Sequence, residues 1–73
     1  MARLRVFSAD SLIKVLRDNE FVEVRRRGSH VVMQKRSPDG TITVPVPDHK
    51  EIKRGTLASI IRQSELPRSL FEE

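Results

Sequence analysis

Two turn signals in the middle of the chain, Gly28-Ser29 and Ser37-Pro38-Asp39-Gly40, constrain the fold more than any other feature, because each is flanked on both sides by β-type residues. Phe21 and Val22 begin the first β-type stretch, with Val24 continuing the alternation, and His30 to Arg36 carries Val31, Val32 and Met33 at its centre. Around Gly28-Ser29 these two stretches read as a hairpin. Pro38 presets one backbone angle of the second turn, while Asp39 and Gly40 tolerate its tight geometry. A third strand, Thr41 to Val46, follows with Ile42, Val44 and Val46 on one face. Pro45 donates no ladder hydrogen bond, which places this strand at an edge or ends it there.

Helical patterns bracket the three strands. Ser8 is a good N-cap, because its hydroxyl accepts from an unpaired backbone N–H of the first turn, where Asp10 is also favoured. Leu12, Ile13, Val15 and Leu16 then form an apolar stripe that predicts a helix from about 9 to 18, with Asn19 as a left-handed residue closing it. After a polar, basic loop from Pro47 to Arg54, Gly55-Thr56 opens a second helix with Leu57, Ile60 and Ile61 on one side. Pro67 suits the start of a short final turn carrying Leu70 and Phe71. The order α-β-β-β-α predicts an α+β fold. Three consecutive antiparallel strands with helices on one face make a two-layer sandwich whose other sheet face is open to a partner.

Composition removes several function classes. The 73 residues include no cysteine, so disulfide-stapled secreted domains, thiolate zinc sites and cysteine nucleophiles are excluded. Apolar residues are 37% of the chain, enough for one core and too few for a deep cofactor cavity beside it. A single domain over residues 1–73, without an organic cofactor, is expected. The longest apolar run is Val31 to Met33, far short of a membrane span or a signal-peptide core, and a cytoplasmic protein follows as the expectation.

Charge points to a partner. Residues 1–36 hold nine basic and four acidic side chains, and the net charge of the whole chain is +4. A polyanion accounts for this excess, and a well-solvated surface is the plainer explanation. With only Phe7, Phe21 and Phe71 as aromatics, a base-stacking platform is hard to build, so contacts to RNA backbone and shape are expected to dominate.

Proton chemistry near neutral pH falls to the two histidines. His30 follows Arg25-Arg26-Arg27 and Gly28-Ser29, so a phosphate drawn by the arginines lies within reach of an imidazole. Gly28 allows a phosphodiester close to the backbone and Ser29 offers a hydrogen bond. Such a site cleaves RNA when a base removes the 2′-hydroxyl proton and the oxygen attacks phosphorus, with cations stabilising the developing charge. The plainer alternative for His30 is a strand residue making one hydrogen bond. His49 is a second acid/base candidate or a solvated loop histidine. Lys50, Lys53 and Arg54, just ahead of the second helix, form an anion site or an ordinary solvated loop. Two histidines without cysteine make a weak metal site, and no structural metal is expected. Phosphate-binding GxxxxGK[ST], GxGxxG and GxSxG motifs are absent.

Phe21, Arg25, Gly28-Ser29-His30, the strand end Thr43-Val44-Pro45-Val46-Pro47 with His49, and Gly55-Thr56-Leu57 with Ile60 together resemble the HicA toxins of toxin-antitoxin systems, over roughly residues 8 to 71. The resemblance implies a double-stranded-RNA-binding-domain-like fold and an mRNA endonuclease that needs no metal and arrests translation. It maps the catalytic histidine onto His30. A HicB antitoxin that blocks the active site is the implied partner. The leading expectation is thus an endoribonuclease using His30 as general base or acid, with Arg25, Arg26, Arg27, Gly28, Ser29, Lys50, Lys53 and Arg54 contacting RNA. A non-catalytic RNA-binding module and a protein-interaction domain that recruits a second chain at the sheet are the alternatives.

Overall fold

In the computed structural model, which describes residues 2–73, the chain runs α1 (Ala9–Asp18), β1 (Val22–Arg27), β2 (His30–Ser37), β3 (Gly40–Pro47), α2 (Arg54–Ser64) and a one-turn 3₁₀ helix, Arg68–Phe71. The three strands form one antiparallel sheet in the order β1-β2-β3. This is the α-β-β-β-α sandwich that the sequence predicts, with the double-stranded-RNA-binding-like order of elements. Gly28 takes φ +56° at the first position of the two-residue β1-β2 turn, where a left-handed residue matches the strand twist. Pro45 does lie on an edge strand, opposite Val32.

The core lies between the helices and one sheet face. Leu12 and Leu16 of α1 and Leu57 and Ile60 of α2 bury against Val31 and Met33 of β2 and Val44 and Val46 of β3. Ser8 caps α1, accepting from the Ser11 backbone N–H at 3.1 Å, while the Ser11 hydroxyl accepts from the Ser8 N–H at 3.0 Å. The lead segment before α1 joins the tail after α2. The Arg5 N–H donates to the Phe71 carbonyl at 2.9 Å, the Glu73 N–H to that of Arg3 at 2.9 Å, and the Phe7 and Phe71 rings meet edge to face at 6.0 Å.

Four local expectations need correction. Asn19 has φ −115° and is not left-handed; Glu20, at φ +75°, takes that role one residue later. The Glu20 N–H bonds the Arg17 carbonyl and the Phe21 N–H bonds that of Leu16, a Schellman closure that seats Phe21 over the helix end. Val24 does not continue an alternation, because the register slips between Glu23, opposite Met33, and Arg25, opposite Val32. Val24 is the extra residue of a β-bulge and stays 41% exposed. Helix α2 begins at Arg54 rather than at Gly55, with Lys53 at its N-cap. Within the loop expected to be polar, Ile52 is buried in the core and its N–H donates to the Phe7 carbonyl at 2.8 Å.

Candidate functional site

The bulge decides which side chains share a face. Partners in an antiparallel ladder point to the same side, so Arg25 (opposite Val32) and Arg27 (opposite His30) lie on the sheet face away from the helices. Arg26, opposite the core residue Val31, points to the helix side. There its Nη1 donates to Asp48 Oδ2 at 2.7 Å. This hydrogen bond, and secondarily the attraction of the Asp48 charge, raises the proton affinity of the Arg26 guanidinium. The expected Arg25-Arg26-Arg27 cluster is thus divided, two members beside His30 and one tied to a carboxylate.

The register across the other ladder completes the open face. Val22, Arg25 and Arg27 of β1 lie with His30, Val32, Gln34 and Arg36 of β2 and Thr41, Thr43 and Pro45 of β3. No strand residue of this face is acidic. The carboxylates of Asp10, Asp18, Glu23 and Asp48 line a separate polar groove on the helix side with Lys14, Arg17 and Arg26, while Glu20, outside the strands, lines a hollow with Val22, Gln34, Arg36 and Thr41. At the centre of the open face, Arg25, Arg27, His30, Val32, Thr43 and Pro45 line a shallow hollow of about 370 Å³. Val32, Thr43 and Pro45 are not among the site residues expected from the sequence. Counting pairs outward from the two tight turns places all three, whereas the position of Arg25 depends on the bulge.

The turn that presents His30 is strapped from below. Ser29 accepts from the Asp48 N–H through its carbonyl at 2.6 Å, and the Asp48 carboxylate is the group that holds Arg26. Asp48 therefore joins the β1-β2 turn to the segment that follows β3. Gly28 is open to solvent, since a Cβ built on it meets nothing within 4 Å. His49 lines a different hollow from His30: its carbonyl accepts from the Ala9 N–H at 2.9 Å, and with Lys50 it lines a hollow at the start of α1 together with Ser8, Ala9, Asp10 and Asp48. Lys53 and Arg54 lie at the start of α2, with Arg54 lining a cleft beside Arg3, Arg5 and Glu73. Among the described residues, no three His, Asp or Glu side chains gather in a way that would hold a metal ion.

Against known families, residues 9–66 match the model described as the HicA toxin of bacterial toxin-antitoxin systems. The chain belongs to the HicA toxin family. No curated protein matches it significantly. The HicA match runs from the first residue of α1 to just past α2, so it takes in the whole sheet, His30 and the strap at Asp48, and leaves out the paired lead and tail. Membership makes the protein a toxin with an antitoxin partner. Among the described residues, no helix is long and apolar enough to cross a membrane.

Proposed function

We propose that this HicA toxin is an endoribonuclease that cleaves mRNA at the open sheet face, with His30 as the proton-transfer group. The observation that carries the reading is the segregation of charge. Arg25, Arg27 and Arg36 share a face with His30 and with no strand carboxylate, and Glu20, a carboxylate beside that face, lines a different hollow from the one at Arg25, Arg27 and His30, so a phosphodiester is drawn to the His30 end. Acting as base, His30 takes the 2′-hydroxyl proton; the 2′-oxygen bonds to phosphorus, the bond from phosphorus to the 5′-oxygen breaks, and solvent at the open hollow protonates the leaving oxygen. The products are a 2′,3′-cyclic phosphate and a 5′-hydroxyl. Acting as acid, His30 protonates the leaving oxygen and the solvent accepts the first proton. Arg25 and Arg27 stabilise the charge that develops on phosphorus. Arg26 serves by holding Asp48. Gly28 and Ser29 receive a flanking phosphate, and Lys50, Lys53 and Arg54, which lie at the helix starts and not on the open face, meet phosphates further along a strand that runs past the turn. An antitoxin of HicB type neutralises the toxin in the cytoplasm by covering this face, meeting the arginines with acidic side chains.

The test is cleavage of a mixed-sequence RNA by the purified protein in excess chelator, beside His30→Ala checked for folding by circular dichroism. The variant is expected to lose at least about 100-fold in rate, as removal of a general acid or base does. Equal cleavage by both overturns the assignment. One observation favours a purely RNA-binding module instead: the second histidine lines a different hollow from the first. Salt-sensitive binding by both proteins, with no products from either, would decide for that reading.

A further inference from the structure

Val32 stands apart from the other buried apolar residues. It is 5% exposed, yet it lies outside the core cluster, on the sheet face that no helix covers. Its shelter comes from the side chains around the hollow: Arg25 and Arg27 from one edge strand, Thr43 and Pro45 from the other, and His30 along its own strand. The hollow thus has an apolar floor, Val32 and Pro45, beneath two guanidinium groups and an imidazole. A chain binding only phosphates needs the cations and has no use for the floor. We propose that this hollow is a nucleobase subsite, and that the toxin therefore takes its RNA single-stranded, with one base unstacked from its neighbours and laid over Val32 and Pro45.

The inference rests on the RNA-cleaving reading and adds the conformation of the substrate to it. Two physical arguments support it. In an A-form duplex the base faces are covered by stacking, and the protein meets phosphates and 2′-hydroxyls; a flat apolar floor finds no partner there. An extruded base presents a face that arginine planes and apolar side chains cover well, and this needs no aromatic residue. That matters here because Phe7, Phe21 and Phe71 are all at most 1% exposed. The chemistry asks for the same thing. Attack on phosphorus requires the 2′-oxygen to come in line with the departing 5′-oxygen, an arrangement that regular stacking holds out of reach and an unstacked nucleotide reaches freely.

The experiment uses the wild-type protein and 2′-fluoro RNA, which lacks the attacking hydroxyl, as a labelled single strand, as a blunt duplex of the same sequence, and as a single strand whose bases are replaced by abasic residues. Titration at one fixed salt concentration reads the affinities. The single strand is expected to bind about fivefold or more tighter than the abasic strand, the lower end of what stacking one base contributes, and tighter than the duplex. A second measurement keeps the shape of the floor and changes its polarity: Val32→Thr is expected to weaken the single strand several-fold and leave the abasic strand unchanged. Equal binding of single strand, abasic strand and duplex overturns the subsite and leaves an RNA-binding toxin. Binding of none of the three overturns the RNA reading itself.

Discussion

Three consecutive arginines reach two different environments because one residue, Val24, falls out of the ladder before them. Simple alternation would place Glu23, Arg25 and Arg27 on one face; the bulge instead separates Glu23 from the two arginines and leaves them on a face whose strands carry no acidic residue. The division predicts unequal roles in RNA binding. On a single strand, each phosphate contact contributes about 0.7 to the slope of log affinity against log salt. Arg25→Gln and Arg27→Gln are each expected to lower that slope by about this amount, measured by titration of a labelled oligonucleotide at several salt concentrations. Arg26→Gln, whose partner is Asp48, is expected to leave it unchanged. An equal loss for all three would mean that RNA approaches from the helix side as well. At this scale, His30 and the arginines stand out in the sequence as candidates because histidine chemistry and charge are properties of residue type. The bulge does not, since Val22 and Val24 satisfy an alternating pattern whether or not the ladder keeps its register.

At the scale of elements, the turns were the most legible features, because Gly28-Ser29 and Pro38-Asp39 act through local backbone geometry that needs no distant partner. The N-cap of α1 was legible for the same reason. Its closure was misplaced by one residue, as asparagine is the more frequent left-handed residue and Glu20 carries no such mark. Glu20 sits at φ +75° because the Schellman bonds to Arg17 and Leu16, and the burial of Phe21 beside Leu16, outweigh the cost of a Cβ in that region. That cost is about 1 kcal/mol. Glu20→Gly is therefore expected to stabilise the protein by roughly that amount, raising Tm by about 4–8 °C in a domain of this size, read by thermal unfolding followed by circular dichroism. An unchanged or lower Tm would show that the flexibility gained by the unfolded glycine chain offsets the relief of strain.

At the scale of the whole molecule, the two faces of the sheet divide the work: one is packed by helices, lead and tail, and the other carries His30 and its hollow. The closing contact between lead and tail joins residues more than sixty positions apart, so no local pattern in the sequence announces it. Ile52 stayed hidden for a related reason, its charged neighbours masking one inward-facing side chain. Phe71 links these parts, since its ring meets Phe7 at 6.0 Å and its carbonyl accepts from the Arg5 N–H. For 73 residues the total stability is on the order of 4–11 kcal/mol, and truncating a buried phenylalanine costs about 3–5 kcal/mol. Phe71→Ala is thus expected to remove about a quarter or more of the stability, read as a lower urea midpoint. Its neighbour Leu70, 37% exposed, serves as control, with Leu70→Ala expected to cost less than about 1 kcal/mol. Because the core and the hollow lie on opposite faces, the fraction of Phe71→Ala that remains folded should bind single-stranded RNA with the affinity of the wild type. A loss of affinity beyond the unfolded fraction would mean that the lead and tail shape the sheet across its thickness, coupling the family's matched region to segments outside it.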